Sequence, residues 1–573
     1  MRLEEYWGVG PKTSERLRET LGEEAAVEAI ESADVRALTD AGITRGRATR
    51  VLRRANDDAG MEALATRDAR EVYDDLLSLA SEYALTRHAA DRIRVLTPLT
   101  ARDAIESRLG AVGDARAAWA SLADGGRSAV VAAFEDYDDA TGSERAAVEA
   151  VLALRDAGLD GSTFDALGDI DPEAVREAAD ALQYVTDDGV APGADDRLDD
   201  IRARLDDARD LENSAFDVLE RIRETGVRDL ADFRRAFTDY VDRETRLSRG
   251  AVESVAPEQA HDAADFVSTS LRALVDDLER QETEREREVE DALRASIAEA
   301  REDVDRAVTA VDDVAVELSL ARFAEAHDLV RPTLGGDGLA VEGARSLFLD
   351  DPDPVTYAVG DHGLDGAPSG DRVAVLTGAN SGGKTTLLET CCTVALLTAM
   401  GLPVPAERAE VGFFDAVVFH RRHASFNAGV LESTLKSIVP PLTDGGRTLM
   451  LVDEFEAITE PGRAADLLNG LVDLTVERGA LGVYVTHLAD DLSPLPPAAR
   501  IDGIFAEGLT SDLDLRVDYQ PRFGTVGKST PEFIVSRLVA NAGDRRERQG
   551  FEHLAAAVGE EAVQRTLAEA WED

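Results

Sequence analysis

A chain of 573 residues is long enough for several domains and a large core. Its 114 acidic residues against 62 Lys and Arg give a formal net charge of −52, yet 44% of its residues are hydrophobic, which excludes an acidic disordered polymer. No apolar run is long enough to cross a membrane, no signal-peptide pattern is present, and the adjacent Cys391 and Cys392 suit a reducing cytosol rather than a disulfide framework.

Residues 1–60 read as a small α-helical domain. Gly8-Val9-Gly10-Pro11-Lys12-Thr13 precedes a helical pattern over 14–21, and Leu38-Thr39-Asp40-Ala41-Gly42-Ile43-Thr44 precedes another over 45–55. Each is a short helix, a glycine turn with an apolar middle residue and a second helix, and each resembles a helix–hairpin–helix motif. Unpaired N–H groups at such helix starts can meet phosphate oxygens without reading bases. Gly8, Val9, Gly10, Lys12, Gly42, Ile43, Thr44 and Arg45 are therefore candidate DNA contacts. Arg45, Arg47, Arg50, Arg53 and Arg54 make this end locally basic; a protein-docking helical module is the other reading.

Residues 61–334 read as almost wholly helical, a core and lever region with breaks near 110–113, 158–161, 187–193 and 249–256. Val289, Leu293, Ile297, Ala300, Val304, Val308 and Val311 recur at spacings of four and three, the seam of a coiled coil. Residues 279–288 contain no apolar side chain, so this segment is expected to be bathed in solvent, crossing water or forming the tip of an arm.

Residues 335–543 carry the chemistry. Short apolar runs over 346–349 and 355–359 suggest a small antiparallel lead-in to a main sheet. Arg372–Thr377 reads as a buried strand, followed by Gly378, Ala379, Asn380, Ser381, Gly382, Gly383, Lys384 and Thr385, which fit G-x-x-x-x-G-K-[ST], and then by a helix. Glycines let the backbone curl and aim N–H groups at phosphates, Lys384 supplies a cation to the β- and γ-phosphates, and Thr385 can hold Mg2+; Thr386 completes the loop. Thr448–Glu454 is a second buried strand ending in two carboxylates. Asp453 is the candidate metal ligand and Glu454 the group that orients and polarises water. A third apolar strand, 481–486, ends at His487, placed to contact the γ-phosphate. Residues 544–573 read as one or two helices.

These motifs resemble the MutS family. Thr377–Glu389 is similar to its TGPN-x-GGKT loop, with Ala379 for proline. Gly401-Leu402-Pro403-Val404-Pro405-Ala406, Ser433-Thr434-Leu435, Leu451–Glu454, Thr486-His487 and Val330-Arg331-Pro332-Thr333-Leu334 match its further segments. Gly508-Leu509 and Gly527-Lys528-Ser529-Thr530-Pro531 resemble its second lineage, which is not devoted to mismatch recognition. Phe455–Thr459 departs from the family by replacing its glycine-rich loop. The resemblance implies an α/β P-loop ABC-type ATPase domain, preceded by a large, mostly α-helical lever or clamp region and a small α-helical helix–hairpin–helix domain. It implies a homodimer in which Ser433 approaches the γ-phosphate held by the other subunit.

The expected activity is DNA-coupled ATP hydrolysis with Mg2+, acting on DNA structures that could include recombination intermediates. The catalytic candidates are Glu454, Lys384 and His487. No nuclease domain is expected over 544–573; a separate nuclease or repair factor would be a partner. An ATP-gated scaffold, or a chromosome-condensation-like ATPase acting through protein partners, is the alternative. With Lys12, Lys384, Lys436 and Lys528 its only lysines, the chain suits the cytoplasm and nucleoid of a high-salt cell.

Overall fold

Contacts divide the chain into two compact units. One comprises Met1–Phe134, Leu159–Thr163 and Asp312–Asp573, the other Glu135–Gly158 and Phe164–Val311. The computed structural model describes residues 2–159, 164–186, 189–227, 229–378, 383–422, 428–454, 456, 461–492, 494–527 and 531–572. The helical region read as one domain over 61–334 is thus split between the units. Periodicity shows that a helix has an apolar face but not which distant strand will cover it. Here Val417 N–H donates to Ala63 O (2.8 Å), Ala65 N–H donates to Val417 O (3.2 Å), and Thr66 Oγ1 donates to Phe419 O (2.6 Å). These bonds tie the segment before the helix Arg67–Ser81 to a strand some 350 residues later.

At the N-terminus, helices Pro11–Thr20, Glu23–Glu31, Val35–Asp40 and Arg45–Asn56 bury Leu17, Ile30, Leu38, Val51 and Leu52 in one core. Gly8 and Gly42 have φ of +78° and +79°, the left-handed region that only glycine enters freely.

The second unit is built of helices, with β1 (Val185–Thr186) and β2 (Gly189–Val190) forming a minimal antiparallel pair. Its longest helix, Ala263–Glu299, packs Phe266, Leu271, Leu274 and Leu278 into a core with Phe237, Leu219 and Leu205. The polar stretch 279–288 lies in the middle of this helix and is neither an arm tip nor wholly solvated. Glu279 pairs with Arg209 (2.7 Å), Glu282 and Glu286 with Arg202 (3.3 and 2.8 Å), and Arg285 with Asp195 (2.7 Å). Charged faces met by charged partners carry no apolar signal. The expected coiled-coil seam is also interrupted: the helix stops at Glu299 and a new one, Arg301–Ala326, begins beyond Ala300. Val289 packs on Val190 and Leu198, with Leu293 against them, so the spacing records helix packing within the unit rather than a continuous seam.

Two sheets follow. The smaller contains β3 (Thr333–Leu334), β4 (Asp337–Ala344), β5 (Val355–Asp361) and β7 (Arg408–Val411), in the order β3-β7-β4-β5. The antiparallel lead-in expected from the runs at 346–349 and 355–359 forms as β4 and β5 but stays in this separate sheet, and 346–349 is not a strand. The larger contains β6 (Val373–Gly378), β8 (Ala416–His420), β9 (Thr448–Asp453), β10 (Leu481–Val485), β11 (Ala499–Leu509) and β12 (Leu515–Phe523). Its order is β12-β11-β6-β10-β9-β8, parallel except for the β11–β12 hairpin. Strands β6, β9 and β10 are buried at every position, which is why they read as unbroken apolar runs. The C-terminal segment forms two helices, Arg545–Val558 and Glu560–Glu572.

Candidate functional site

Strand order positions the site. β10 lies between β6 and β9, with Val485 level with both Leu376 and Asp453. Gly378, Asp453-Glu454 and Thr486-His487 therefore end three adjacent parallel strands on one edge of the sheet, where ligands of open α/β sheets bind.

β6 ends at Gly378, where φ is +128° and a Cβ would lie 2.1 Å from the Ile504 carbonyl oxygen. Ala379, Asn380, Ser381 and Gly382 lie outside the described residues. Gly383, at φ +71°, starts the helix Lys384–Ala399; a Cβ there would meet the Tyr519 ring at 2.9 Å. The buried Lys384 donates from Nζ to Gly378 O at 3.0 Å. Burial lowers its pKa, opposed by Glu454, Asp453 and Glu456. Thr385 Oγ1 donates to Asp453 Oδ2 at 2.6 Å. Thr386 lines a cavity of about 470 Å³ together with Lys384, Glu454, Leu349, Asp351 and Tyr519.

The two strand-end carboxylates differ. Asp453 is buried; this raises its pKa, and the Thr385 hydroxyl opposes the rise. Glu454 sits at φ +42°, an uncommon backbone for a residue with a side chain. Its Oε1 is 3.0 Å from His487 Nε2 and its Oε2 is 2.6 Å from Arg422 Nη1. The hydrogen bond from His487, then the charges of His487, Arg422 and Lys384, hold its pKa below the ordinary carboxylate value against the opposing effect of burial. Glu456 Oε1 accepts from Thr486 Oγ1 (2.9 Å) and from His487 N–H (2.6 Å). Arg422, Glu456 and Tyr519 were not identified from the sequence. The departure from the family loop at Phe455–Thr459 was a signal for Glu456 alone. Ser433 is exposed on the helix Ala428–Thr443 and does not line the cavity.

A metal ion fits this chemistry. Among the described residues, Asp453 Oδ1 is buried without a hydrogen-bond partner while its other oxygen holds Thr385. Among the described residues no three His, Cys, Asp or Glu side chains gather as a metal cage. One carboxylate and one hydroxyl, completed by phosphate oxygens and water, is a donor set suited to Mg2+.

The N-terminal candidates form a second locus. Arg16 donates to Gly42 O (3.1 Å) and Arg47 to Gly8 O (3.0 Å), so each glycine turn is held by an arginine from the helix after the other. Gly10 and Thr44 are the N-caps of Pro11–Thr20 and Arg45–Asn56, and neither has a side-chain cap bond. Lys12 is exposed. Val9 and Ile43 are buried in the core, so a contact from either would be through the backbone alone. Arg45 pairs with Asp91, Arg53 with Asp74 and Arg54 with Asp58, which neutralises much of the local basic charge.

A protein of Pyrococcus furiosus named DNA-binding protein MutS2 is 44% identical over 214 residues, 37% of this chain and 38% of its own. A DNA mismatch repair protein MutS 2 of Halobacterium salinarum is 32% identical over 347 residues, 56% of this chain and 38% of its own. An endonuclease MutS2 of Shouchella clausii is 29% identical over 305 residues, 51% of this chain and 37% of its own. The chain is similar to these proteins of the MutS family. No family model matches it. The chain spans less than half the length of these curated MutS relatives.

Within the chain, segments distant in sequence meet. Val330 and Val404 exchange two backbone hydrogen bonds of 2.8 Å, joining the arginine–proline segment to Gly401–Ala406. Gly527 N–H donates to Thr377 Oγ1 at 2.7 Å, immediately before Gly378; Lys528, Ser529 and Thr530 lie outside the described residues. Beside Thr377, the fully buried Asp502 accepts from Arg500 Nε (3.0 Å) and Tyr357 OH (3.1 Å). No helix among the described residues is long and apolar enough to cross a membrane.

Proposed function

We propose that the chain is a MutS-type ATPase that couples ATP binding and hydrolysis to DNA. The observation that carries this reading is the Thr385–Asp453 contact, with one Asp453 oxygen buried and unpartnered among the described residues, at a strand end beside Lys384 and Glu454. Lys384 and the N–H groups at the start of its helix would bind the β- and γ-phosphates. Thr385 and Asp453 would hold Mg2+, which neutralises developing phosphate charge when bound. Glu454 would orient the attacking water and take its proton, with His487 fixing the carboxylate. The cavity beside Tyr519 has room for the nucleoside.

The N-terminal turns are proposed as the DNA contact, acting as paired helix–hairpin–helix motifs through Gly8, Gly10, Lys12, Gly42 and Thr44. Phosphate contact through helix starts suits a very acidic protein, because a cationic groove loses affinity steeply with salt. The proposed assembly is a homodimer with Ser433 acting across it, in the cytoplasm and nucleoid of a high-salt cell. The proposed reaction ends at ADP and phosphate. An ATP-gated scaffold with protein partners is the second reading.

The test is ATP hydrolysis in multimolar KCl, with and without duplex and branched DNA, beside Lys384→Ala. Hydrolysis that DNA stimulates and the substitution abolishes is the expected result. Hydrolysis indifferent to every DNA would favour the scaffold.

A further inference from the structure

Both oxygens of the proposed catalytic carboxylate are already occupied. Glu454 Oε1 meets His487 Nε2 at 3.0 Å and Oε2 meets Arg422 Nη1 at 2.6 Å. Each carboxylate oxygen has two acceptor sites, and each oxygen already meets one partner. A water placed for attack must share an oxygen with one of these partners or displace it.

The two partners are not equally free to leave. His487 follows β10, and its N–H is bound to Glu456 Oε1 at 2.6 Å. Arg422 lies just beyond the end of β8, and its side chain is 54% exposed. Its neighbour Arg421 is anchored: it pairs with Glu389, lies 3.7 Å from Glu71 and donates its N–H to Asp68 at 2.7 Å. Glu454, which Arg422 contacts, lines the same cavity as the phosphate-binding Lys384. An exposed guanidinium bound to one carboxylate oxygen, within the field of a phosphate-binding lysine, has a better ligand available whenever a phosphate enters. A γ-phosphate carries more charge and can accept from the guanidinium in a fork.

We propose that Arg422 is a catalytic residue of the ATPase, resting on Glu454 in the nucleotide-free chain and transferring to the γ-phosphate when ATP binds. The proposal rests on the ATPase reading. The transfer frees Glu454 Oε2 at the moment substrate is present. The water oxygen then bonds to the γ-phosphorus as the β–γ bridging bond breaks. The electron pair leaves with ADP, the proton goes to Glu454, and Arg422 meets the charge on the γ-phosphoryl oxygens. Without ATP the carboxylate stays closed, so the substrate itself opens the base.

The experiment compares wild type, Arg422→Ala, Arg422→Lys and Lys384→Ala by fluorescent ADP binding, competition with AMP-PNP, steady-state hydrolysis and thermal unfolding. For Arg422→Ala the expected result is unchanged unfolding and unchanged ADP affinity. AMP-PNP affinity falls about tenfold or more, as for loss of a charged hydrogen bond, and kcat falls further, with Arg422→Lys intermediate. Equal weakening of ADP and AMP-PNP, no change in either, or faster hydrolysis would overturn the proposal. If wild type itself bound no nucleotide and matched Lys384→Ala, the ATPase reading would fail and take this proposal with it.

Discussion

Removing Asp502 should destabilise the sheet-bearing unit more than loss of any surface ion pair. Asp502 has no exposed surface, and it accepts from Arg500 Nε (3.0 Å), Tyr357 OH (3.1 Å) and Gly524 N–H (3.2 Å). Arg500 is 9% exposed, lies over the Tyr357 and Phe523 rings, and reaches Asp371 only at 3.5 Å. Asp502→Ala leaves that buried guanidinium to the longer contact with Asp371 at 3.5 Å and takes the acceptor from the tyrosine hydroxyl. Breaking a buried pair from one side costs about 3–5 kcal/mol. Arg500→Met with Asp502→Asn removes the buried charge and keeps an acceptor, so the double variant should lose about half as much or less. Calorimetric unfolding in low and multimolar KCl measures both. The loss should persist at high salt, because buried charges are poorly screened. Arg463→Ala, which breaks the exposed Arg463–Asp466 pair, is the control and should cost less than about 0.5 kcal/mol. A loss for Asp502→Ala below about 1 kcal/mol, or one that disappears in salt, would refute the reasoning.

Glu317 is half-buried near Asp313 and Asp114; burial first, then these charges, raise its pKa from 4.5 to about 7. The native state therefore holds this proton more tightly than the unfolded chain. The stabilisation is full below about 4.5 and is lost as pH rises through about 7. Glu317→Gln should gain about 1–2 kcal/mol over wild type at pH 8, allowing for solvent screening, and little near pH 4.5, measured by urea titration. Gly378→Ala should abolish nucleotide binding and lower the unfolding temperature, since its Cβ would fall 2.1 Å from a backbone oxygen; normal fluorescent-ADP binding would contradict this. Lys12→Ala with Arg47→Ala should weaken DNA binding in gel-shift assays about tenfold, by loss of a phosphate contact and of the bond to Gly8 O. Arg54→Ala, whose charge is already met by Asp58, should leave DNA binding nearly unchanged. Cys391 and Cys392 are fully buried with their thiols pushed up, Cys391 to about 12, so a thiol reagent should label neither until the protein unfolds.

Some of this molecule could be read directly from the sequence. Strands β6, β9 and β10 are buried on both faces, and a continuous apolar run ending in glycine or acid leaves little else for such a segment to be. Because Thr385 and Asp453 were chosen by local chemistry, their pairing at 2.6 Å was within reach of a motif argument. Arg422 was not: an arginine two residues beyond a strand looks like any surface arginine until strand order brings β8 beside β9. Ala63–Ala65 joins the edge of β8 through backbone bonds, which leave no trace in side-chain pattern. The same limit applies to the helix Ala263–Glu299, where ion pairs to the helix Asp196–Asn213 look like exposure when only one partner is read. Ala300 is a good helix former, and nothing in its identity marks it as the break.

β10 carries His487 to the site with a parallel neighbour in register on each side, β6 and β9. A strand held on both edges cannot slide by a fraction of a residue without loosening two ladders, so it works as a fixed rail. In the proposed ATPase, any response of His487 to nucleotide would leave through its own side chain and through the loop that follows, not along the strand. In that reading the response would be local, set by what takes the place of the departed phosphate.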